Sequence, residues 1–243
     1  MSSVKVNKVE VCLSPALYQF FENPDAIAVV VDILRASSAI VTAFMNGAEK
    51  IIPVGTIEEA RKMKEKGYMV AAERDGLVKD FADFGNSPYN FTEDRVKNNH
   101  IVYSTTNGTQ AIQLASSSHL VVVGAFLNLQ AIVDHLLKMD RDVLILCAGW
   151  KNKFNLEDTL FAGAVADKLL QYQNFNTICD STLASQDLWR IARKDLRAYI
   201  EKAAQRHRLK KNKLDDVIEY CLIPDQTEMI PSLKDDYLVK LDH

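Results

Sequence analysis

The chain reads as an α/β protein, a three-layer α/β/α sandwich on a largely parallel or mixed sheet, with a more helical C-terminal segment. Three observations carry this. Short apolar runs alternate with amphipathic stretches from residue 9 to residue 171. One run, AIAVVV at 26–31, is apolar throughout, as a strand buried on both faces must be. The chain has only 9 glycines, and several fall in or beside the polar segments that follow the apolar runs, where an unusual backbone is needed. Strands alternating with helices imply a sheet covered on both faces.

In order, residues 9–13 form a short strand that ends before Ser14-Pro15, and 26–31 form the buried strand. Residues 38–46 have helical spacing, with Ile40, Val41 and Phe44 on one face. Residues 50–54 are a strand, 57–66 a charged amphipathic helix and 68–72 a strand. The rhythm resumes with strands at 100–103, 120–123 and 143–147 and helices at 108–115, 129–139 and 156–171. From about residue 183 the texture becomes charged and helix-prone, with a helix expected at 215–221 and prolines at 224 and 231. No repeat or low-complexity linker appears, so 1–243 is expected to be a single α/β unit, with 183–243 packing back on it.

Composition excludes several functions. Lys plus Arg is 29 and Asp plus Glu is 32, a net charge of −3, which does not suit a general nucleic-acid binder. The basic run Arg206–Lys213 reads as a solvated helix end or loop. No stretch approaches the roughly 20 apolar residues of a membrane span, and the N-terminus has no signal-peptide core, so a cytoplasmic protein is expected. Four widely spaced cysteines form no zinc pattern. There is no P-loop, no GxGxxG and no GxSxG elbow, and no histidine is placed like a triad member.

Ligands of open α/β sheets bind at the carboxyl ends of strands. Four polar segments stand there. The first is Asp32-Ile33-Leu34-Arg35-Ala36-Ser37-Ser38, with a carboxylate for a cation or for nucleophilic attack, an arginine for an anion, and a serine to cap a helix. The alternative is an ordinary ion pair and cap. The second is Glu73-Arg74-Asp75-Gly76 with Gly85-Asn86-Ser87-Pro88, in a connection (73–99) longer than the roughly 12–15 residues usual for an unstructured loop. Asn86 and Ser87 can hold an anion there, or the segment is an ordered loop without a ligand. The third, Ser104-Thr105-Thr106-Asn107-Gly108-Thr109, can form an oxyanion cradle or a simple cap. The fourth runs from Cys147 to Asp158. Glu157 and Asp158 complete an acidic Mg²⁺ site or merely favour the helix dipole, and Lys151 and Lys153 suit a second anionic group. Cys147 is read as a buried spectator rather than a nucleophile. Carboxylates, an arginine, hydroxyls and helix N-termini at one edge suit a divalent cation, an anionic substrate and phosphoryl transfer.

VVVDILRASSAI (29–40), AERDG (72–76), DFGNSP (83–88), STTNGTQAI (104–112) and AGWKNKFNLEDTLFAGA (148–164) together resemble the 2-phosphosulfolactate phosphatases. The order and spacing match across 26–164, and more weakly around 216–221 and Pro231. The resemblance implies a Mg²⁺-dependent α/β phosphatase converting 2-phospho-3-sulfolactate to 3-sulfolactate and phosphate in coenzyme M biosynthesis. It implies acidic positions at Asp32, Glu73, Glu157 and Asp158, and anion-binding positions at Arg35, Asn86, Ser87 and 105–109. The stretch 79–83, Lys-Asp-Phe-Ala-Asp, departs from the family's glycine-containing loop. The resulting expectation is that Asp32 and Glu73, with Glu157 or Asp158, hold Mg²⁺. Arg35 and the 105–109 turn then clamp the phosphoryl group, Ser37 joins the anion-binding set, and a water attacks. Asp32 as nucleophile is the alternative mechanism. A related phosphorylated acid as substrate, or a non-catalytic anion-binding protein, is the alternative function. The oligomeric state stays open, a homo-oligomer included.

Overall fold

The computed structural model describes residues 6–241. Its elements, in chain order, begin with β1 (Asn7–Cys12), β2 (Ile27–Val31), α1 (Ala36–Met45), β3 (Lys50–Pro53), α2 (Ile57–Glu65), β4 (Met69–Arg74) and β5 (Leu77–Val78). There follow α3 (Glu93–Val96), β6 (His100–Ser104), α4 (Gly108–Leu114), β7 (Leu120–Gly124), α5 (Leu129–Met139), β8 (Val143–Cys147) and α6 (Leu156–Leu169). The chain closes with β9 (Phe175–Asn176), α7 (Asp180–Ala192), α8 (Leu196–Ile200), α9 (Ala204–Lys211), α10 (Ile218–Cys221), β10 (Pro231–Lys234) and β11 (Tyr237–Lys240).

The sheet is mixed, in the order β5-β4-β6-β3-β11-β10-β7-β2-β8-β1-β9. Two parallel groups, β4-β6-β3 and β7-β2-β8-β1-β9, are joined by the antiparallel hairpin β10-β11. The expected helical C-terminal segment therefore also supplies two strands, inserted at the centre of the sheet. The helix expected at 215–221 is confined to α10.

Strand β2 is buried at every position because its side chains feed two cores. Ile27, Val29 and Val31 pack with α5, α6 and α7 on one face. Ala28 and Val30 pack on the other with α1, α4 and residues Ile51, Ala71, Ile101 and Tyr103 of the other parallel group. The two groups thus share a core around α1 and α4. A smaller cluster, including Ala60 and Val102, seals α2 against β4 and β6. Helix α2 starts with a capping box in which Thr56 Oγ1 accepts from Glu59 N–H at 3.1 Å and Glu59 Oε2 accepts from Thr56 N–H at 3.0 Å. Among the described residues no helix is long and apolar enough to cross a membrane.

Candidate active site

The shared core brings the carboxyl ends of both parallel groups together. Val31 pairs with Gly124 and Cys147, so β2, β7 and β8 end level. Ala72 pairs with Ser104, so Glu73 and Thr105 leave β4 and β6 side by side. One pocket collects Asp32, Arg35, Glu73, Asn86 and Asn107 from the first three polar segments and Gly149, Trp150 and Asn155 from the fourth.

Asp32 is aimed by its own loop. Its backbone N–H donates to Ser37 Oγ at 3.1 Å, and its carbonyl accepts from Ser37 N–H at 2.8 Å. Ser37 therefore fastens the β2–α1 turn and is not among the pocket-lining residues. The Asp32 carboxyl accepts from the Ala36 N–H, which favours the ionised form, as does the charge of Arg35. Burial outweighs both and, with the like charges of Asp158 and Glu73, pushes its pKa well above the usual carboxylate range. Gly108 allows this approach. A Cβ there would lie 2.7 Å from Ala36 Cβ and 3.1 Å from Asp32 Oδ2.

Glu73 organises the third segment. Its Oε1 accepts from Thr106 N–H at 3.0 Å and from Thr106 Oγ1 at 3.2 Å, and its Oε2 accepts from Gly76 N–H at 2.6 Å. Three of roughly four acceptor positions on the carboxylate are thus taken. Thr105 and Thr109 close on each other, Thr105 Oγ1 accepting from Thr109 N–H at 3.3 Å and Thr109 Oγ1 donating to Thr105 O at 3.3 Å. These hydroxyls build the turn, and Asn107 is the side chain that reaches the pocket. Asn107 Oδ1 also accepts from Lys151 N–H at 2.9 Å, tying the third segment to the fourth. Asn86 Oδ1 accepts from the buried Tyr103 hydroxyl, which leaves its NH₂ to donate. Ser87 stands outside the pocket lining, next to the short helical turn 88–90.

Of the two acidic residues of α6, Asp158 is engaged by backbone groups. Asp158 Oδ1 accepts from Ile33 N–H at 2.9 Å and Oδ2 from Gly149 N–H at 3.0 Å. It clasps the ends of β2 and β8 rather than facing the pocket. Burial, then the Glu157 charge, pushes its pKa well up. Glu157 Oε1 is buried with no hydrogen-bond partner among the described residues, and burial raises its pKa to about 7. Among the described residues no three His, Cys, Asp or Glu side chains group as a ready metal cage. Gly149 has φ +62°, and a Cβ there would collide with the Lys153 carbonyl, so the tight 149–153 loop requires glycine. Lys151 pairs at 2.7 Å with Asp75, itself a lining residue, and so stands at the pocket rim, while Lys153 is exposed; neither lysine is part of the lining. Cys147 is fully buried, and burial raises its thiol pKa, which suits a packing role.

Part of the site comes from the C-terminal segment and not from a strand end. Gln205, Arg208, Leu209 and Asn212 roof the pocket, with Trp150 beside them. Gln205 Nε2 donates to Leu34 O at 2.8 Å, latching α9 to the loop that carries Arg35. The basic run, expected to be a solvated helix end or loop, covers the site with one face. Its one apolar residue, Leu209, is buried, and Arg208 turns inward with it. That Leu209, four residues after Gln205, was the available signal of a buried face. With the roof in place the cavity volume is about 20 Å³, space for roughly one water.

The profile of the 2-phosphosulpholactate phosphatase family matches residues 12–236. A protein of Thermotoga petrophila is 36% identical over 206 residues, covering 85% of this chain and 88% of its own. One of Clostridium novyi is 33% identical over 227 residues, covering 92% and 96%. One of Clostridium botulinum is 30% identical over 238 residues, covering 96% and 100%. Each of the three bears the name probable 2-phosphosulfolactate phosphatase.

Proposed function

The chain belongs to the 2-phosphosulpholactate phosphatase family, and from that premise we propose that it is a Mg²⁺-dependent phosphoric monoester hydrolase. It acts in the cytoplasm on 2-phospho-3-sulfolactate, giving 3-sulfolactate and phosphate, a step of coenzyme M biosynthesis. The observation that carries the reading is the match over nearly the whole chain to relatives named for that activity. The site supports it, since carboxylates and cationic or amide donors converge in one narrow pocket.

The residues present fit Mg²⁺. Asp32 and Glu73 offer hard oxygen donors in the pocket wall, and Mg²⁺ is commonly held by one or two carboxylates plus substrate phosphate. Asp32 is crowded by like charge from Asp158 and Glu73, and Glu157 keeps a buried oxygen without a partner, so the region carries more negative charge than Arg35 and Arg208 offset. Bound there, Mg²⁺ would supply positive charge for the phosphoryl oxygens and lower the pKa of a water. Arg35 orients the phosphoryl group through its forked donors. The Asn86 amide adds donors where negative charge builds. Ser37 and Asp158 keep Asp32 in place, and the roof of α9 excludes water from the reacting group.

The test is phosphate release from 2-phosphosulfolactate, phospholactate and p-nitrophenyl phosphate, each with Mg²⁺ and with chelator. Fast, Mg²⁺-dependent release that favours the sulfonated substrate is expected. Equal rates on all three would mean a general phosphatase, and no release from any would overturn the reading.

A further inference from the structure

Arg208 is a cation with unspent donors inside the pocket. It projects from α9, the roof, whereas Arg35 stands on the β2–α1 loop below. Its Nε donates to Gln205 Oε1 at 2.6 Å, and its guanidinium carbon lies 4.4 Å from the centre of the Trp150 ring. Both contacts fix the plane of the fork. Its Nη2, however, is buried with no hydrogen-bond partner among the described residues. A buried, charged donor without an acceptor is costly, so this nitrogen is poised for one. Arg208 feels the charge of Glu157 but makes no hydrogen bond to it, and the Glu157 Oε1 is unpartnered as well. The lysines expected to serve a second anionic group are spent or exposed, Lys151 on Asp75 and Lys153 on solvent.

We propose that Arg208 is the residue that binds the substrate's sulfonate, and so sets the preference for a sulfonated phosphoester over one that carries only the carboxylate. This rests on the function proposed above. Arg35 acts with Asp32 at the phosphoryl end, as its charge is felt by Asp32, while Arg208 shares its field with Glu157. The cavity volume is about 20 Å³, and a sulfonate on Arg208 would tie the α9 roof to the pocket from inside.

The experiment compares wild type, Arg208→Ala and Arg208→Lys. KM and kcat are measured on 2-phosphosulfolactate and on phospholactate, which lacks the sulfonate, and 3-sulfolactate binding is measured by calorimetry. Arg208→Ala is expected to raise KM for the sulfonated substrate about 10- to 100-fold, with a much smaller change in kcat and a selective loss relative to phospholactate. The 3-sulfolactate Kd should weaken in parallel. Arg208→Lys, which keeps charge but not the fork, should lie between and serves as the readout if the alanine variant is unfolded. Equal losses on both substrates, or none, would overturn the proposal, as would failure of the wild type to bind 3-sulfolactate. Arg208-dependent binding of 3-sulfolactate without phosphate release would instead sink the phosphatase reading and leave the Arg208 site standing.

Discussion

Asp158→Asn separates a clasp from a metal ligand, and its effect can be worked from the contacts. Both carboxyl oxygens accept backbone N–H groups, Ile33 at 2.9 Å and Gly149 at 3.0 Å. Asparagine keeps one acceptor and turns an NH₂ toward the other N–H. One hydrogen bond is lost and one buried donor is orphaned, together about 3 kcal/mol. Against this stands relief from burying an acid whose pKa the fold raises. That relief cannot exceed the cost of keeping the proton on, about 1.4 kcal/mol for each pH unit above the ordinary value of 3.8. At pH 5 it is at most about 1.7 kcal/mol, so the variant should be less stable by about 1–2 kcal/mol. At pH 7.5 the relief can grow to match the loss, and the deficit should shrink. Urea unfolding in chelator reads this directly. With a slope of about 3 kcal/mol per molar for a chain of this size, the pH 5 midpoint should fall by about 0.3–0.7 M. An unchanged or higher midpoint at pH 5 would refute the clasp, since both N–H groups would then have to be satisfied without the carboxylate.

Gly108→Ala places a methyl 2.7 Å from Ala36 Cβ and 3.1 Å from Asp32 Oδ2. Overpacking should cost about 1–3 kcal/mol, more than the helix propensity gained, and lower Tm by about 2–8 °C. Displacing Asp32 should cut kcat/KM at least about tenfold, and wild-type Tm with full activity would contradict the close approach. The pH dependence of the chelated protein follows from Glu157. Its pKa rises from 4.5 to about 7 on folding, so between these values the folded state holds a proton that the unfolded state has released. Its contribution to stability should therefore fall as pH rises through this window, by up to about 3 kcal/mol, and be exhausted above it. Asp32 and Asp158, also raised, act in the same direction, while the lowered Asp83 acts below pH 4. A Tm that is flat or climbs from pH 5 to 7 in chelator would count against a buried, unpartnered Glu157.

Much of the fold was legible because its signals are local. AIAVVV had to be a strand with two buried faces, and β2 feeds two cores. The polar segments after the strands had to lie at one edge if the strands ran parallel, and Asp32, Arg35, Glu73, Asn86 and Asn107 line one pocket. What spacing could not convey was direction and partnership at long range. Whether Asp158 faces a ligand or two backbone N–H groups depends on how α6 packs beneath β2 and β8. Ser37, Thr105, Thr106 and Thr109 have the chemistry of anion ligands, but their hydroxyls are used to hold turns. Lys151 is carried to the pocket rim, onto Asp75, by a left-handed loop that depends on Gly149. The largest differences lie after residue 183. A hairpin at 231–240 enters the middle of the sheet, pairing with strands more than 100 residues away, and α9 roofs the pocket through Arg208. Local pattern dictates which segments are strands and helices. Which strand completes the sheet, and which helix covers the site, is decided by burial of apolar faces that meet only once the chain has folded.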